Sequence, residues 1–206
     1  GLSGLFEITA IGSILALVML VTVVPKPKFS PKHLDQKPHW RMLGSVIGHG
    51  QLMRFNVGIF VLHGTLVALF LVLPQSLKHL GGIAIAHQWM LYLPVLLLAF
   101  VVMVPLVIIA EKKRRMKTIF CAMIGLLCLT PFVVGLSPRH LWVQVLGLLM
   151  FFTAFTVLEA TLPSLISKTA PIRCKGTALG VYSSCQYLGA FVGAALGGVL
   201  WSHWGE

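Results

Sequence analysis

Residues 151–201 decide the fold of this chain, and they read FFTAFTVLEATLPSLISKTAPIRCKGTALGVYSSCQYLGAFVGAALGGVLW. The first apolar segment carries one acid, Glu159, and its helix is expected to end at Pro163. After a short basic turn, a second apolar segment places glycines at four-residue intervals. Residues four apart share one helix face, so this segment predicts a groove in which two helix backbones approach closely inside a bilayer. The glycines of this groove are Gly176, Gly180, Gly189, Gly193 and Gly197.

The composition excludes a water-soluble protein. Of the 206 residues, 57% are hydrophobic and only 10% are charged, whereas soluble domains carry about 25% charged residues. The net charge of +11 would favour nucleic-acid binding in a soluble protein. Because the cytoplasmic loops of membrane proteins collect Lys and Arg, we expect the lipid bilayer as the partner of this chain and no nucleic acid.

The chain lacks the residue patterns of enzymes and metal sites. It contains no HExxH motif and no paired nucleophile and base. The cysteines lie in or beside apolar segments without CxxC spacing, and we interpret them as free core thiols. They are Cys121, Cys128, Cys174 and Cys185. We therefore expect no enzyme, no catalytic residue, no metal and no cofactor.

The apolar segments predict an all-α integral membrane fold of about six transmembrane helices. A bilayer core of about 30 Å requires about 20 apolar residues per helix. The segments that meet this requirement are residues 2–24, 55–74, 89–110, 118–136, 141–166 and 176–201. Residues 1–24 are thus predicted to form one helix, 25–53 a linker that includes an amphipathic helix, and 54–206 a transmembrane bundle, with a loop at 75–88.

The positions of the basic residues predict the orientation. Of the 16 Lys and Arg residues, all except Lys78 and Arg139 fall in alternate loops between the predicted spans. Because Lys and Arg accumulate in cytoplasmic loops, the linker at 25–53 is predicted to be cytoplasmic and both chain ends to lie outside.

The order of spans and motifs resembles the C-terminal half of a major facilitator superfamily transporter, close to the proton-coupled drug-efflux branch. Residues 171–180, PIRCKGTALG, are similar to the family's P-x-x-x-(R/K)-G-x-x-x-G turn, and the glycine-rich helix after it resembles an antiporter helix, with Ala194 in place of proline. The resemblance implies a bundle of twelve helices, of which this chain supplies helices six to eleven. Its partner would be an N-terminal six-helix half, and the natural chain is expected to be longer at both ends.

The loop between the third and fourth spans resembles the family's cytoplasmic loop signature. Glu111, Lys112 and Arg115 match its charged positions, while Val107 and Arg114 stand where glycine is usual. The resemblance implies a latch that stabilises one state of the transport cycle through charge pairing. The alternative is a plain cytoplasmic loop that follows the charge asymmetry.

Polar side chains inside the spans are the candidates for proton coupling or substrate contact. A carboxylate is costly to place in a membrane and usually marks a functional path, and histidine titrates near neutral pH. The alternative for each is interhelical packing and, for Glu159, an ion pair with the basic turn at 168–175. The candidates are Glu159, His63, Gln186, Tyr182 and Asn56, with Tyr187 as a further aromatic that could line a cavity.

Three functions are compatible with these features. The resemblance and the scarcity of polar groups favour a secondary transporter of the bacterial inner membrane. It would export small hydrophobic or amphipathic compounds in exchange for protons by alternating access. A carrier for a polar metabolite or sugar is the first alternative, and should carry more polar residues in its spans. A membrane scaffold without transport is the second, and it would explain the glycine packing but not the buried acid.

Overall fold

The computed structural model describes residues 2–25, 40–136 and 140–204. Within these residues it is helical and contains no strand, which confirms the predicted all-α fold. The helices are α1 (Leu2–Thr22), α2 (Trp40–Ile47), α3 (Gly50–Gly81), α4 (Trp89–Lys112), α5 (Met116–Leu136), α6 (Leu141–Thr169) and α7 (Lys175–Trp204). Two short 3-10 turns, Ile85–His87 and Ile172–Cys174, precede α4 and α7.

Five of the described helices, α3 to α7, are long and apolar enough to cross a membrane. The remaining predicted span corresponds to α1, whose apolar part, Phe6–Thr22, is shorter. The chain divides into two compact units, residues 1–36 and 37–206. The first contains α1, and the second contains α2 to α7 and all of the candidate site residues.

Two helices pass through the prolines that were predicted to end them. The prediction that the first segment ends at Pro163 is wrong, because α6 continues to Thr169. The loop predicted after Pro74 is also partly helical, because α3 continues to Gly81. Proline usually ends or kinks the helices of soluble proteins, because it removes one helical hydrogen bond and its ring clashes with the preceding turn. Membrane helices tolerate it when neighbouring groups satisfy the freed backbone carbonyl.

The amphipathic helix predicted within residues 25–53 corresponds to α2. Val46 of α2 is buried in the cluster that α3, α6 and α7 form, whereas Trp40 at its start is exposed. Since α3 already begins at Gly50, the polar linker ends earlier than the predicted boundary. Residues 26–39 of the linker, with Lys26, Lys28, Lys32 and Lys37, lie outside the described residues.

α3 and α7 pack backbone against backbone. Gly189 and Gly193 of α7 lie so close to Phe60 and Gly64 of α3 that a Cβ atom on either α7 glycine would overlap the α3 main chain. Conversely, a Cβ atom on Gly64 would stand 3.1 Å from the carbonyl oxygen of Gly189. Glycine is therefore required at Gly189 and Gly193, and a Cβ atom on Gly64 would be tightly packed.

The close contact between α3 and α7 extends from Gly193 toward the C-terminal end of α7 but does not include Gly180. A Cβ atom on Gly197 would stand 3.3 Å from the Cα atom of Ala68. At Gly180 it would meet nothing within 4 Å, so the close packing predicted for Gly180 is not present there. Gly176 lies in the first turn of α7. The groove is thus formed by Gly189, Gly193 and Gly197.

α6 is the central helix of the bundle. In the most apolar 18-residue stretch of α6, 50% of the residues are buried, compared with at most 17% in the corresponding stretch of each other membrane-length helix. The C-terminal half of α6 packs in an apolar cluster with α2, α3 and α7, and its N-terminal half packs in a second cluster with α3 and α4. Any polar residue on α6 is therefore held among several helices.

Candidate functional site

Three of the predicted polar residues, each from a different helix, meet in the second unit. They are His63 of α3, Glu159 of α6 and Gln186 of α7. The amide nitrogen of Gln186 donates to Glu159 Oε1 over 3.2 Å and lies 2.9 Å from His63 Nε2. His63 Nδ1 lies 3.8 Å from Glu159 Oε2. One amide thus bridges a carboxylate and an imidazole.

The amide orientation sets the tautomer of the neutral imidazole. An amide nitrogen only donates hydrogen bonds, so His63 Nε2 accepts from Gln186. A neutral imidazole then carries its proton on Nδ1, the nitrogen that faces Glu159. The proton of His63 is therefore placed toward the carboxylate.

The pair of His63 and Glu159 is partly buried and incompletely bonded. The His63 side chain is 15% exposed and that of Glu159 is 35% exposed. The separation of 3.8 Å between Nδ1 and Oε2 exceeds hydrogen-bond distance. Neither atom has a hydrogen-bond partner among the described residues. A small approach of α6 to α3 would bring these two atoms into hydrogen-bond contact.

An aromatic wall covers one side of the pair. The ring of Phe155 lies 5.5 Å from the His63 ring and stacks on Phe151 at 5.9 Å. Phe155 was not among the predicted site residues, although it precedes Glu159 by four residues and so shares its helix face. The wall excludes water from that side and gives the site an apolar lining.

Pro163 adds a backbone group to the same place. It lies four residues after Glu159, and proline has no N–H to donate. The carbonyl of Glu159 therefore loses its usual helical donor. Because α6 continues to Thr169, Glu159 lies about 15 Å from the end of the helix at 1.5 Å per residue. The acid is thus farther from the basic turn than the sequence predicted.

Two other predicted residues lie on the same helix faces as the cluster. Tyr182 precedes Gln186 by one turn, and Asn56 precedes His63 by two turns. Both side chains are buried, and their hydroxyl and amide atoms have no hydrogen-bond partner among the described residues. Tyr187, in contrast, is 74% exposed and points away from the cluster.

The predicted loop motif forms one ion pair across the bundle. Lys168 Nζ, at the end of α6, donates to Glu111 Oε1, at the end of α4, over 2.7 Å. Lys112 and Arg115 form no salt bridge within the described residues. The alternative ion pair between Glu159 and the turn at 168–175 is also absent from these residues. Lys168 pairs with Glu111 instead.

The turn after α4 contains a left-handed residue. Arg114 has a φ of 52° and is followed by Arg115, whose N–H donates to the carbonyl of Ala110. A positive φ favours glycine because it lacks a Cβ atom. This is one of the positions at which the loop signature usually has glycine, so the departure noted in the sequence carries backbone strain.

A bundle of membrane-length helices that holds an acid, an imidazole and an amide between three of them defines a polytopic membrane protein. The chain belongs to the Major Facilitator Superfamily, whose family model matches residues 1–194.

The curated relatives carry transporter names. The chain is 39% identical over 201 residues to the inner membrane transport protein YajR of Escherichia coli strain K12, covering 96% of this chain and 43% of the relative. It is 25% identical over 194 residues to the uncharacterized transporter BU466 of Buchnera aphidicola subsp. Acyrthosiphon pisum, covering 94% of this chain and 50% of the relative.

The chain spans about half the length of the curated relatives that it matches. No solved structure matches it. The family and the membrane-length helices identify a multi-pass membrane protein, and the relative from Escherichia coli places it in the bacterial inner membrane.

Proposed function

We propose that this chain supplies about half of a secondary active transporter that exports small hydrophobic or amphipathic compounds in exchange for protons by alternating access. The observation that carries the proposal is the contact of Glu159 with Gln186 and its approach to His63, from three different helices. An ionisable residue inside a membrane span is by default a candidate for ion or substrate coupling.

The geometry supports coupling because protonation would change the attraction between helices. An ionised Glu159 accepts from Gln186 and attracts the imidazole of His63. Protonation removes the negative charge and weakens both interactions. Since a ligand shifts a conformational equilibrium by its difference in affinity for the two states, a proton bound at Glu159 would favour the arrangement in which α6 moves away from α3 and α7.

The surroundings of the site favour a hydrophobic substrate. Phe151 and Phe155 form one wall, and the two helix turns before and after Glu159 on α6 are otherwise mostly apolar. A carrier for a polar metabolite would need more hydrogen-bonding groups than Asn56 and Tyr182 add. The half of the relatives that this chain does not match would supply the opposite wall of the cavity.

The ion pair between Glu111 and Lys168 would serve as the latch of the loop motif. It joins α4 to α6 at the end where the basic residues accumulate, which positive-inside orientation assigns to the cytoplasm. We assign residues 25–53 and 113–115 to the same side. In this assignment the latch holds the cytoplasmic ends of two helices together in one state of the cycle.

The proposal is tested by Glu159→Gln in the full-length protein that carries this chain, reconstituted in vesicles. A proton gradient should drive accumulation of fluorescent amphipathic cations, with ethidium as the first probe, by the wild type. Glu159→Gln keeps the side-chain shape and removes the titration, so gradient-driven transport should be lost while the thermal unfolding midpoint is retained.

Glu7→Gln is the matched control, because it makes the same chemical change in α1. It should leave transport intact. A Glu159→Gln protein that transports with an unchanged pH profile would show that the proton is carried elsewhere, and the proposal would be wrong.

A further inference from the structure

A cavity of about 760 Å³ lies between α3, α5 and α6. Its volume falls within the range of about 300 to 1,000 Å³ of small-molecule sites. α3 and α5 both contact α6, and near their beginnings the rings of Phe55 and Phe120 meet edge to face at 6.4 Å. Leu158, Leu162 and Leu165 of α6 form the floor. The polar cluster of the candidate site does not line this cavity.

The polarity of the cavity changes along its length. At the end where α3 and α5 begin, Gln51 and Arg54 of α3 and Lys117 of α5 line the mouth. Val61 and Cys128 lie further along the two helices, about 10 Å and about 16 Å from these cations at 1.5 Å per residue. The walls there are apolar. A molecule that fills the cavity therefore has a polar head and an apolar tail.

The charge at the mouth is positive and is not neutralised by an acidic residue that the structure describes. Arg54 Nη1 donates to the neutral oxygen Oε1 of Gln51 over 3.2 Å. Neither Arg54 nor Lys117 forms a salt bridge in the part of the chain that the structure describes. The planar guanidinium and the compact ammonium both bind phosphate oxygens well. The complementary head group is thus an anionic phosphate.

The apolar part of the cavity is open to the exterior of the bundle. Val61 is 51% exposed and Ile124 is 42% exposed, although both line the cavity. Both belong to helices of membrane length, and their exposed side chains are apolar. A free phosphate ion would leave these apolar walls uncovered, whereas a lipid tail would cover them.

We infer that this cavity binds an anionic phospholipid, with its phosphate at Arg54 and Lys117 and one acyl chain along Val61, Ile124 and Leu162. Basic pockets between transmembrane helices at the cytoplasmic side bind anionic head groups through the same chemistry. The inference depends on the membrane-spanning helices and not on the proposed transport activity. Because the cations attract net negative charge, the site prefers phosphatidylglycerol to phosphatidylethanolamine.

The first test measures lipid preference in the full-length protein, delipidated in mild detergent and titrated with each of these two lipids. Native mass spectrometry counts the bound lipids. The wild type should retain one phosphatidylglycerol with at least about tenfold preference. The double variant Arg54→Gln, Lys117→Gln should lose this preference. The matched variant Lys112→Gln, Arg115→Gln removes the same charge outside the cavity and should keep it.

The second test fills the cavity and leaves both cations in place. Cys121→Trp introduces a large side chain at an exposed residue that lines the cavity, and it should abolish retention of phosphatidylglycerol. Leu129→Trp, at an exposed position of the same helix outside the cavity, is its control and should bind normally. Unfolding midpoints verify that each variant is folded.

Two results would overturn the inference. Equal binding of both lipids by the wild type would mean that the cavity takes a neutral lipid or another amphiphile. Retained phosphatidylglycerol preference in folded Cys121→Trp would place the lipid at another surface. The double variant Arg54→Gln, Lys117→Gln gives a further check. If the lipid binds at another surface, this variant will still prefer phosphatidylglycerol.

Discussion

Lys168 and Glu111 are 57 residues apart in sequence, yet Lys168 Nζ donates to Glu111 Oε1 over 2.7 Å and joins the ends of α6 and α4. The two side chains are 57% and 48% exposed. An exposed ion pair contributes at most about 1 kcal/mol to the free energy of unfolding. Such a contribution is still large enough to change the balance between two conformations that differ by a few kcal/mol.

We therefore predict that Glu111→Gln and Lys168→Gln each open the turn at residues 113–115 without unfolding the protein. Hydrogen exchange at residues 113–115 should become faster in either variant, while the unfolding free energy changes by less than about 1 kcal/mol. The charge swap Glu111→Lys, Lys168→Glu should restore slow exchange. Equal acceleration in Lys112→Gln, which breaks no described ion pair, would contradict the latch.

The glycine contact predicts a sharp difference between two positions on α7. Gly193→Leu would drive a side chain into the backbone of Gly64, and overpacking typically costs about 1 to 3 kcal/mol even where only side chains must move. We expect poor expression and a lowered unfolding midpoint. Gly180→Leu meets open space and should retain the wild-type midpoint. Similar destabilisation of both variants would mean that the contact with Gly64 does not cause the effect, because leucine has a higher helix propensity than glycine and would not itself weaken the helix.

This difference also marks what the sequence could predict about α7. Gly176 and Gly180 are four residues apart, as are Gly189, Gly193 and Gly197, but Gly180 precedes Gly193 by 13 residues. At 3.6 residues per turn these two glycines are about 220° apart around the helix, so they lie on different faces of α7. The crossing point with α3 depends on Phe60, Gly64 and Ala68, which repeat at the same spacing and lie 129 residues before Gly189, Gly193 and Gly197. Which two helices cross, and at which residues, depends on the tertiary structure and is not predicted by the residue spacing of either helix alone.

The left-handed turn after α4 allows a test of backbone strain. A β-branched residue at positive φ is more strained than arginine, so Arg114→Val should lower the unfolding free energy by about 1 to 2 kcal/mol. Arg114→Gly should be neutral or stabilising. Arg115→Val removes the same charge at a neighbouring residue without a positive φ and serves as the control. Equal effects of both valine variants would exclude strain as the cause.

The predicted orientation can be measured with cysteine substitutions in the full-length protein. A membrane-impermeant maleimide added to intact cells should label position 78 but not positions 32 or 113, because Lys and Arg accumulate on the cytoplasmic side. Permeabilised cells provide the control for reactivity. Labelling at 32 and 113 with none at 78 would invert the assignment.

The members of the candidate site were more predictable than its geometry. Glu159, His63 and Gln186 are identifiable because polar residues inside apolar spans are few. That they meet at one point depends on which helices are neighbours, and hydrophobic periodicity does not determine this. The lengths of α3 and α6 were underestimated because proline is a helix-ending signal in water. Arg54 and Lys117 looked like ordinary loop charges, so the cavity between them had no sequence signal.

The backbone contact between α3 and α7 restricts how the site can move. No side chain separates Gly64 from Gly189 and Gly193, so the two helices cannot rotate or slide past each other without collisions between main-chain atoms. We therefore expect α3 and α7 to move as one rigid unit. His63 is next to Gly64 on α3, and Gln186 precedes Gly189 on α7 by about one turn. The 2.9 Å contact between the imidazole of His63 and the amide of Gln186 is therefore expected to keep its geometry. We therefore expect a conformational change to alter the distance from Glu159, on α6, to His63 and Gln186, and not the distance between His63 and Gln186.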